Sequence, residues 1–390
     1  MNILNSNLKL KSENVRTLII KKRRVIPFFD YSEVFSSSEE ELVDIFRNVL
    51  RRGAFIQQSD LLEFEENLAN YLGVKYAFGV ANCTDGLIIA MKSIGIKPGD
   101  EVIFPSHTFV ASAASIHFSG GTPVPIECGS DHLMDITAIE KAITSKTKAI
   151  LPVQLNGRTC NMDAIQKIAN KYGLKIIEDS AQALGAKFKN RSAGSFGDVA
   201  AFSFYPAKTL GCFGDGGAIV TSDDQIAKKI IALRDHGRDE FGDVSGWGLN
   251  SRLDNLQAAI LNFNFKKYEN TIARRREIAF LYNKHLSVLP NLKLPPAPDS
   301  DPDYFDIYQN YEVESSQRDE LREYLDQAGV KTILQWGGKA VHQFEKLKLN
   351  YELPATEKTL KESFLLPINT MITDFDVKYI CEKIIEFYNH

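Results

Sequence analysis

The sequence contains no apolar run approaching the roughly 20 residues that span a bilayer, so a membrane-embedded fold is not expected. Cysteine is sparse. The five present, Cys83, Cys128, Cys160, Cys212 and Cys381, are odd in number and scattered without metal-ligand spacing. That usage predicts reduced thiols in a cytoplasmic protein, with no disulfide and no metal. An excess of positive charge is also missing: 46 basic against 50 acidic residues give a net charge of −4, which argues against non-specific nucleic-acid binding. Residues 1–24 lack the apolar core of a signal peptide, since their longest apolar run, Leu18-Ile19-Ile20, precedes the cluster Lys21-Lys22-Arg23-Arg24. We read them as a poorly ordered, solvated extension, or alternatively a basic patch for an anionic partner.

What remains is ordinary for a globular protein, 44% hydrophobic and 25% charged over 390 residues, long enough for a two-part enzyme subunit. Amphipathic spacing predicts helices over 38–52 and 61–72, the latter with Leu61, Phe64, Leu68 and Leu72 on one face. Helices are also predicted over 87–94, 163–172, 255–265, 271–286, 316–328 and 374–388. Strands are predicted over 76–80, 101–104, 147–153, 174–179, 199–204 and 218–221. Segment 234–247 reads as a mobile loop, and 290–306, with five prolines, as another loop. The three arginines 274–276 are expected on a solvated, salt-bridged face.

The chain is organised around Asp198–Thr221. The apolar run Val199–Phe204 has the composition of a buried strand, and it ends in a tight segment with one lysine, Lys208, among uncharged neighbours. A glycine-rich turn follows, with Gly211, Gly214, Gly216 and Gly217. In apolar surroundings such a lysine has a depressed pKa and suits condensation with a carbonyl; alternatively it is a surface lysine in a loop. Upstream, Leu174–Asp179 is an apolar strand with an acidic end. Asp179 taken alone reads equally as a helix cap. Ligands in α/β sheets sit beyond the carboxyl ends of strands, where Asp179 and Lys208 both fall. Pyridoxal 5′-phosphate (PLP) needs this pair: a lysine for its aldehyde and a carboxylate that keeps its ring nitrogen protonated.

Three further stretches carry candidate groups. Ala81-Asn82-Cys83-Thr84-Asp85-Gly86 is a small-residue turn opening a helix, suited to an anion or simply to capping by Asn82 or Thr84. Ser203 lies near the end of the Lys208 strand, and Tyr205, two residues on, faces the same side. Ser203 is assigned to the cofactor phosphate against the alternative of a satisfied core hydroxyl. Tyr205 is a candidate substrate or cofactor contact. His107 reads as a polar wall residue rather than a catalyst.

Taken together, Gly99–Ser106, Ile177–Ala183, Phe202–Lys208, Gly214–Ala218 and Gly248–Asp254 resemble, in order, the DegT/DnrJ/EryC/StrS family of PLP-dependent sugar-nucleotide aminotransferases. The similarity runs from about Val25 to the C-terminus. It implies an α/β fold of the aspartate aminotransferase type (PLP fold type I). Residues 25–270 would form a large PLP-binding domain around a mostly parallel seven-stranded sheet, and 271–390 a smaller C-terminal α+β domain.

The resemblance also implies roles. Lys208 is the catalytic residue, and Asp179 holds the ring nitrogen. Gln182 contacts the ring's 3′ oxygen, and Phe109 stacks on the ring. Thr84, Asp85 and Ser203 bind the phosphate together with Asn250 of the other subunit of a homodimer. Asn250 otherwise reads as a turn residue capping the next helix. Trp336, Lys339 and His342 are candidate substrate contacts. The Gln335-Trp336-Gly337-Gly338 stretch resembles members acting on dTDP-linked 3-keto-6-deoxyhexoses. The implied reaction moves an amino group from glutamate, through pyridoxamine phosphate, to such a sugar for lipopolysaccharide biosynthesis. Alternatives are a 4-keto acceptor, a sugar dehydratase or a non-enzymatic regulator. Dehydratase relatives carry histidine where Lys208 stands, and a regulator has no need of the whole set. Gln154, Asn156 and Cys83 depart from the family's usual His, Tyr and Gly, which implies a different sugar pocket and an altered turn.

Overall fold

The apolar runs of the first half fold as short strands covered on both faces. They are β1 (Tyr76–Val80), β2 (Glu101–Pro105), β3 (Thr122–Ile126), β4 (Thr147–Ile150), β5 (Lys175–Asp179), β6 (Val199–Ser203) and β7 (Gly217–Thr221). They form one seven-stranded sheet in the order β1-β7-β6-β5-β4-β2-β3. Pairing is parallel from β3 to β6, while β7 runs antiparallel to both its neighbours. The architecture is the α/β fold expected, and β3 had not been expected as a strand. Two prolines, Pro123 and Pro125, weaken its sequence signal, and both are tolerated because the strand lies at the sheet's edge.

This computed structural model describes residues 24–239 and 241–389, so the expected extension lies, Arg24 apart, outside the described residues. Ahead of the sheet run α1 (Glu39–Arg52) and α2 (Ser59–Leu72). Leu61, Phe64, Leu68 and Leu72 of α2 are all buried, as their spacing predicts. Next come α3 (Cys83–Ser93), α4 (Val110–Phe118), α5 (Met162–Tyr172), α6 (Asn255–Phe265) and α7 (Tyr268–Leu286). Tyr268 and Ile272 of α7 pack with the core around Phe64, Phe204 and Leu261. Further along, its Ile278, Tyr282 and Leu286 enter a separate C-terminal core. That core also holds β8 (Tyr311–Glu314) paired antiparallel with β9 (Ser363–Leu366), plus α8 (Arg318–Gln327) and α9 (Asp374–Asn389). Ile26 is buried there too and bridges to Val330.

Two local expectations change. Segment 290–306 is not loop throughout, since Tyr304–Phe305 pairs with Lys187–Phe188 as a short strand. Of the three arginines, Arg274 pairs with Glu277 and Asp374 and Arg276 with Asp299. Arg275 instead is 4% exposed and donates to the Tyr308 and Gln309 carbonyls. Successive helical positions step about 100° around the axis, so three in a row cannot share a solvated face. Among the described residues no helix is long and apolar enough to cross a membrane, and all five cysteines are buried and free.

Candidate active site at the strand ends

The sheet register gathers the site. Asp179 at the end of β5 lies opposite Ala201 of β6, and Ser203 at the end of β6 lies opposite Gly217. Gly217 also faces Val80 at the end of β1. Because β7 is antiparallel, the glycine-rich turn returns the chain to this same edge. A Cβ on Gly217 would sit 2.6 Å from the Asn82 carbonyl carbon and 2.7 Å from the Cys83 nitrogen, so only glycine lets β7 approach the start of α3. That helix begins four residues before the predicted Leu87. Asn82 caps it, accepting from the Asp85 N–H at 2.8 Å.

At this edge lies a cavity of about 520 Å³, within the range of small-molecule sites. Its wall brings together Thr84, Phe109, Asp179, Gln182, Ser203, Tyr205, Lys208 and Trp336 from the sequence-predicted set. Four members of that set are not on its wall. The Asp85 N–H is taken by the Asn82 cap. Asn250 is exposed and bridges to Asp235 of its own chain. Lys339 is exposed. His342 is buried, with Nδ1 2.7 Å from Ser106 Oγ and Nε2 3.1 Å from Glu357; these bonds tie its turn to the end of β2.

Asp179 is 5% exposed. Its Oδ2 accepts from Ser112 Oγ at 2.7 Å, and Ser112 Oγ lies 2.7 Å from Thr108 Oγ1. Its Oδ1 accepts from the Ala181 N–H at 3.2 Å. Burial pushes the carboxyl above its usual range, opposed by Ser112, Ala181 and the charge of Lys208. Burial likewise pushes the Lys208 amine down, against the pull of Cys83 and Asp179. The lysine segment is pinned from behind: Gln309 donates to the Ala207 carbonyl and accepts from the Thr209 N–H, while Thr209 Oγ1 meets Tyr268 Oη at 2.8 Å. Sequence reasoning missed Thr108 and Ser112. Their signal was a pair of hydroxyls four residues apart across the start of the helix Val110–Phe118.

These groups suit PLP. A buried carboxylate, an amine of lowered pKa, a hydroxyl beside a helix N-terminus and an aromatic ring meet on one cavity. The pair Gln154 and Asn156 sits elsewhere than expected. Gln154 is fully buried, donating to Glu178 at 2.7 Å and accepting from the Cys160 N–H at 2.6 Å. Neither residue lines the cavity.

The profile of the DegT/DnrJ/EryC1/StrS aminotransferase family matches residues 36–385. The chain belongs to that family. It is 41% identical over 310 residues to dTDP-3-amino-3,4,6-trideoxy-α-D-glucose transaminase of Streptomyces venezuelae, covering 79% of this chain and 81% of the relative. It is 37% identical to dTDP-3-amino-3,6-dideoxy-α-D-galactopyranose transaminase of Aneurinibacillus thermoaerophilus, covering 92% and 99%. The crystal structure of S. venezuelae DesV in complex with a ketimine intermediate superposes with a TM-score of 0.90 at 36% identity, covering 94% of this chain and 99% of that one. The protein is thus a PLP-dependent transaminase whose relatives act on sugar nucleotides.

Behind the cavity, Trp336 packs edge-on against His107, ring centroids 5.3 Å apart. His107 joins a buried charged cluster. His132 Nδ1 lies 2.8 Å from Glu312 and its Nε2 2.6 Å from Glu314, while His107 Nε2 lies 3.3 Å from Glu312. The donor atoms of His107, His132 and Glu312 lie within 4.8 Å of one another, a grouping from three separate stretches that spacing could not reveal. Burial disfavours the charged His132 ring, yet Glu312 and Glu314 outweigh it and raise the pKa from 6.5 to about 10. Glu312 is held well below its usual range, its two histidines overcoming its burial.

The sign of the pH effect follows. A histidine whose folded pKa exceeds its unfolded value stabilises fully below about 6.5, and this is lost as pH rises through about 10. The depressed Glu312 stabilises above about 4.5, and this is lost as pH falls. We expect His132→Gln to cost about 3 kcal/mol at pH 6, as for breaking a buried pair, and clearly less at pH 10. Urea unfolding at the two pH values checks this; an equal cost at both would reject the charged pair.

Proposed function

We propose that this chain transfers an amino group from glutamate to a dTDP-3-keto-6-deoxyhexose, giving a dTDP-3-amino-3,6-dideoxyhexose for lipopolysaccharide biosynthesis. The observation that carries the chemistry is the meeting of Lys208 and Asp179 on one cavity. Two relatives named for dTDP-3-amino products support the substrate class, and Trp336 on the wall offers a flat ring to the sugar nucleotide.

When bound, PLP supplies an electron sink and stores the amino group as pyridoxamine phosphate between the two half-reactions. The chain's own residues do the rest. Lys208 would hold the cofactor through its aldehyde carbon, and its Nζ, once released, would move the proton of the donor's α-carbon. Burial lowers the pKa of that amine, which favours its uncharged, nucleophilic form. Asp179 would keep the ring nitrogen protonated, Gln182 would donate to the ring's 3′ oxygen, and Phe109 would stack on the ring. Thr84 and Ser203 would hold the phosphate, while Leu87, Val153 and Leu155 on the wall exclude water. Asn250, exposed and away from its own chain's cavity, completes the phosphate site of a partner subunit in a homodimer.

The test supplies purified protein and PLP with glutamate and a panel of dTDP-3-keto and dTDP-4-keto sugars, measuring 2-oxoglutarate and amino sugar. Turnover of 3-keto acceptors is expected. Turnover of 4-keto acceptors alone would overturn the substrate assignment, and no 2-oxoglutarate with any acceptor would overturn the donor.

A further inference from the structure

Asn156 sits in the turn after β4 in a left-handed conformation, φ 56° and ψ 12°, which asparagine tolerates better than most residues. The turn is pressed against the chain leading into β8. A Cβ on Gly157 would lie 2.6 Å from the Gln309 nitrogen, and Ile307 N–H donates to the Gly157 carbonyl at 2.9 Å. Every polar atom of the Asn156 side chain is engaged. Nδ2 donates to Glu312 Oε2 at 2.6 Å, and Oδ1 accepts from Asn310 at 2.9 Å and Gln335 at 3.1 Å.

The consequence falls on Gln182. Its Oε1 accepts from the Asn156 backbone N–H at 2.8 Å and from Asn310 Nδ2 at 3.4 Å. Two donors on one side require the amide oxygen there, which turns Nε2 away from them. That amide lines the cavity, and Nε2 has no partner among the described residues. With its oxygen unheld, the amide can flip and present an acceptor to the cavity instead. Glu312, fixed between His107 and His132, is the charged anchor at the far end of this chain of contacts.

We propose that Asn156 is a positioning residue: anchored by Glu312, Asn310 and Gln335, it fixes the Gln182 amide so that an N–H faces the ring oxygen of PLP. This rests on the proposed contact between Gln182 and that oxygen. A hydrogen-bond donor stabilises the ring oxygen most when the bound chromophore has lost its proton, so it lowers the chromophore's pKa. Losing the donor raises it.

The experiment titrates the visible absorbance of the PLP-loaded protein against pH for wild type, Gln182→Leu, Asn156→Ala, Asn156→Gly and the Asn156→Gly/Gln182→Leu double variant. Glycine accepts the left-handed backbone, so Asn156→Gly keeps the test open if the alanine variant folds poorly. Gln182→Leu is expected to raise the protonated fraction near the midpoint, with both Asn156 variants moving it the same way by about threefold in the protonation ratio. The double variant should titrate like Gln182→Leu alone, because the two residues act through one contact. If Gln182→Leu shifts the titration but the Asn156 variants match wild type, or if the shifts add in the double variant, the positioning role is overturned. If Gln182→Leu itself shifts nothing, the ring-oxygen contact fails and the proposal with it.

Discussion

Lys208→Ala is expected to lower kcat by a factor on the order of 10⁴ or more, because one side chain is both the attachment point and the proton carrier. Lys208→Arg should do as badly. A guanidinium keeps its proton and cannot attack a carbonyl carbon. Stability should move in the opposite sense. The Lys208 amine lies where burial lowers its pKa, with Asp179 as the nearby carboxylate and no hydrogen bond from Nζ among the described residues. A charge in that setting costs folding free energy. In the absence of cofactor, then, Lys208→Ala and the closer-fitting Lys208→Met should melt no lower than wild type. Single-turnover assays with glutamate, beside thermal melts of the cofactor-free proteins, check both halves. A variant that loses activity and stability together would point to a structural lysine instead.

Much of this arrangement was legible in the sequence because it rests on local signals. The runs Leu174–Asp179 and Val199–Ser203 announce strands by composition, and their carboxyl ends are where an α/β sheet places ligands. The Asn82 cap and the glycines at 216 and 217 are equally local. The unread part is long-range. Glu312 reaches His107 and His132 only because β8 packs beside the turn at 155–157, and no spacing rule connects those three stretches. The resemblance made His342 a candidate substrate contact together with Trp336 and Lys339. In the fold its ring turns inward to Ser106, since the backbone breaks direction at Trp336 and Gly337, both at positive φ. The departure at Asn156 was visible as a missing tyrosine, which suggested a change in the sugar pocket. Its side chain instead faces Glu312, and its effect on the cavity passes through Gln182.

Asp179→Asn should lower kcat by about 10³-fold while leaving the fold intact, since the amide keeps the shape and its one oxygen can still accept from the Ala181 N–H or from Ser112, though not from both, but it supplies no negative charge to the ring nitrogen. The carboxylate must be ionised to do this work. Burial raises its pKa, so activity should fall on the acid side as pH drops through that raised value. Ser112 donates to the ionised form and therefore holds the pKa down. Ser112→Ala removes that donor, so its acid limb should move to higher pH. The accompanying loss at neutral pH should be about tenfold, the size of one hydrogen bond to a charged group. Thr108→Val acts one step further out, through Ser112, and should shift the limb in the same direction by less. A pH–rate profile of kcat for wild type, Ser112→Ala and Thr108→Val reads all three effects. An acid limb that stays in place when Ser112 loses its hydroxyl would mean that some other group, not Asp179, sets it.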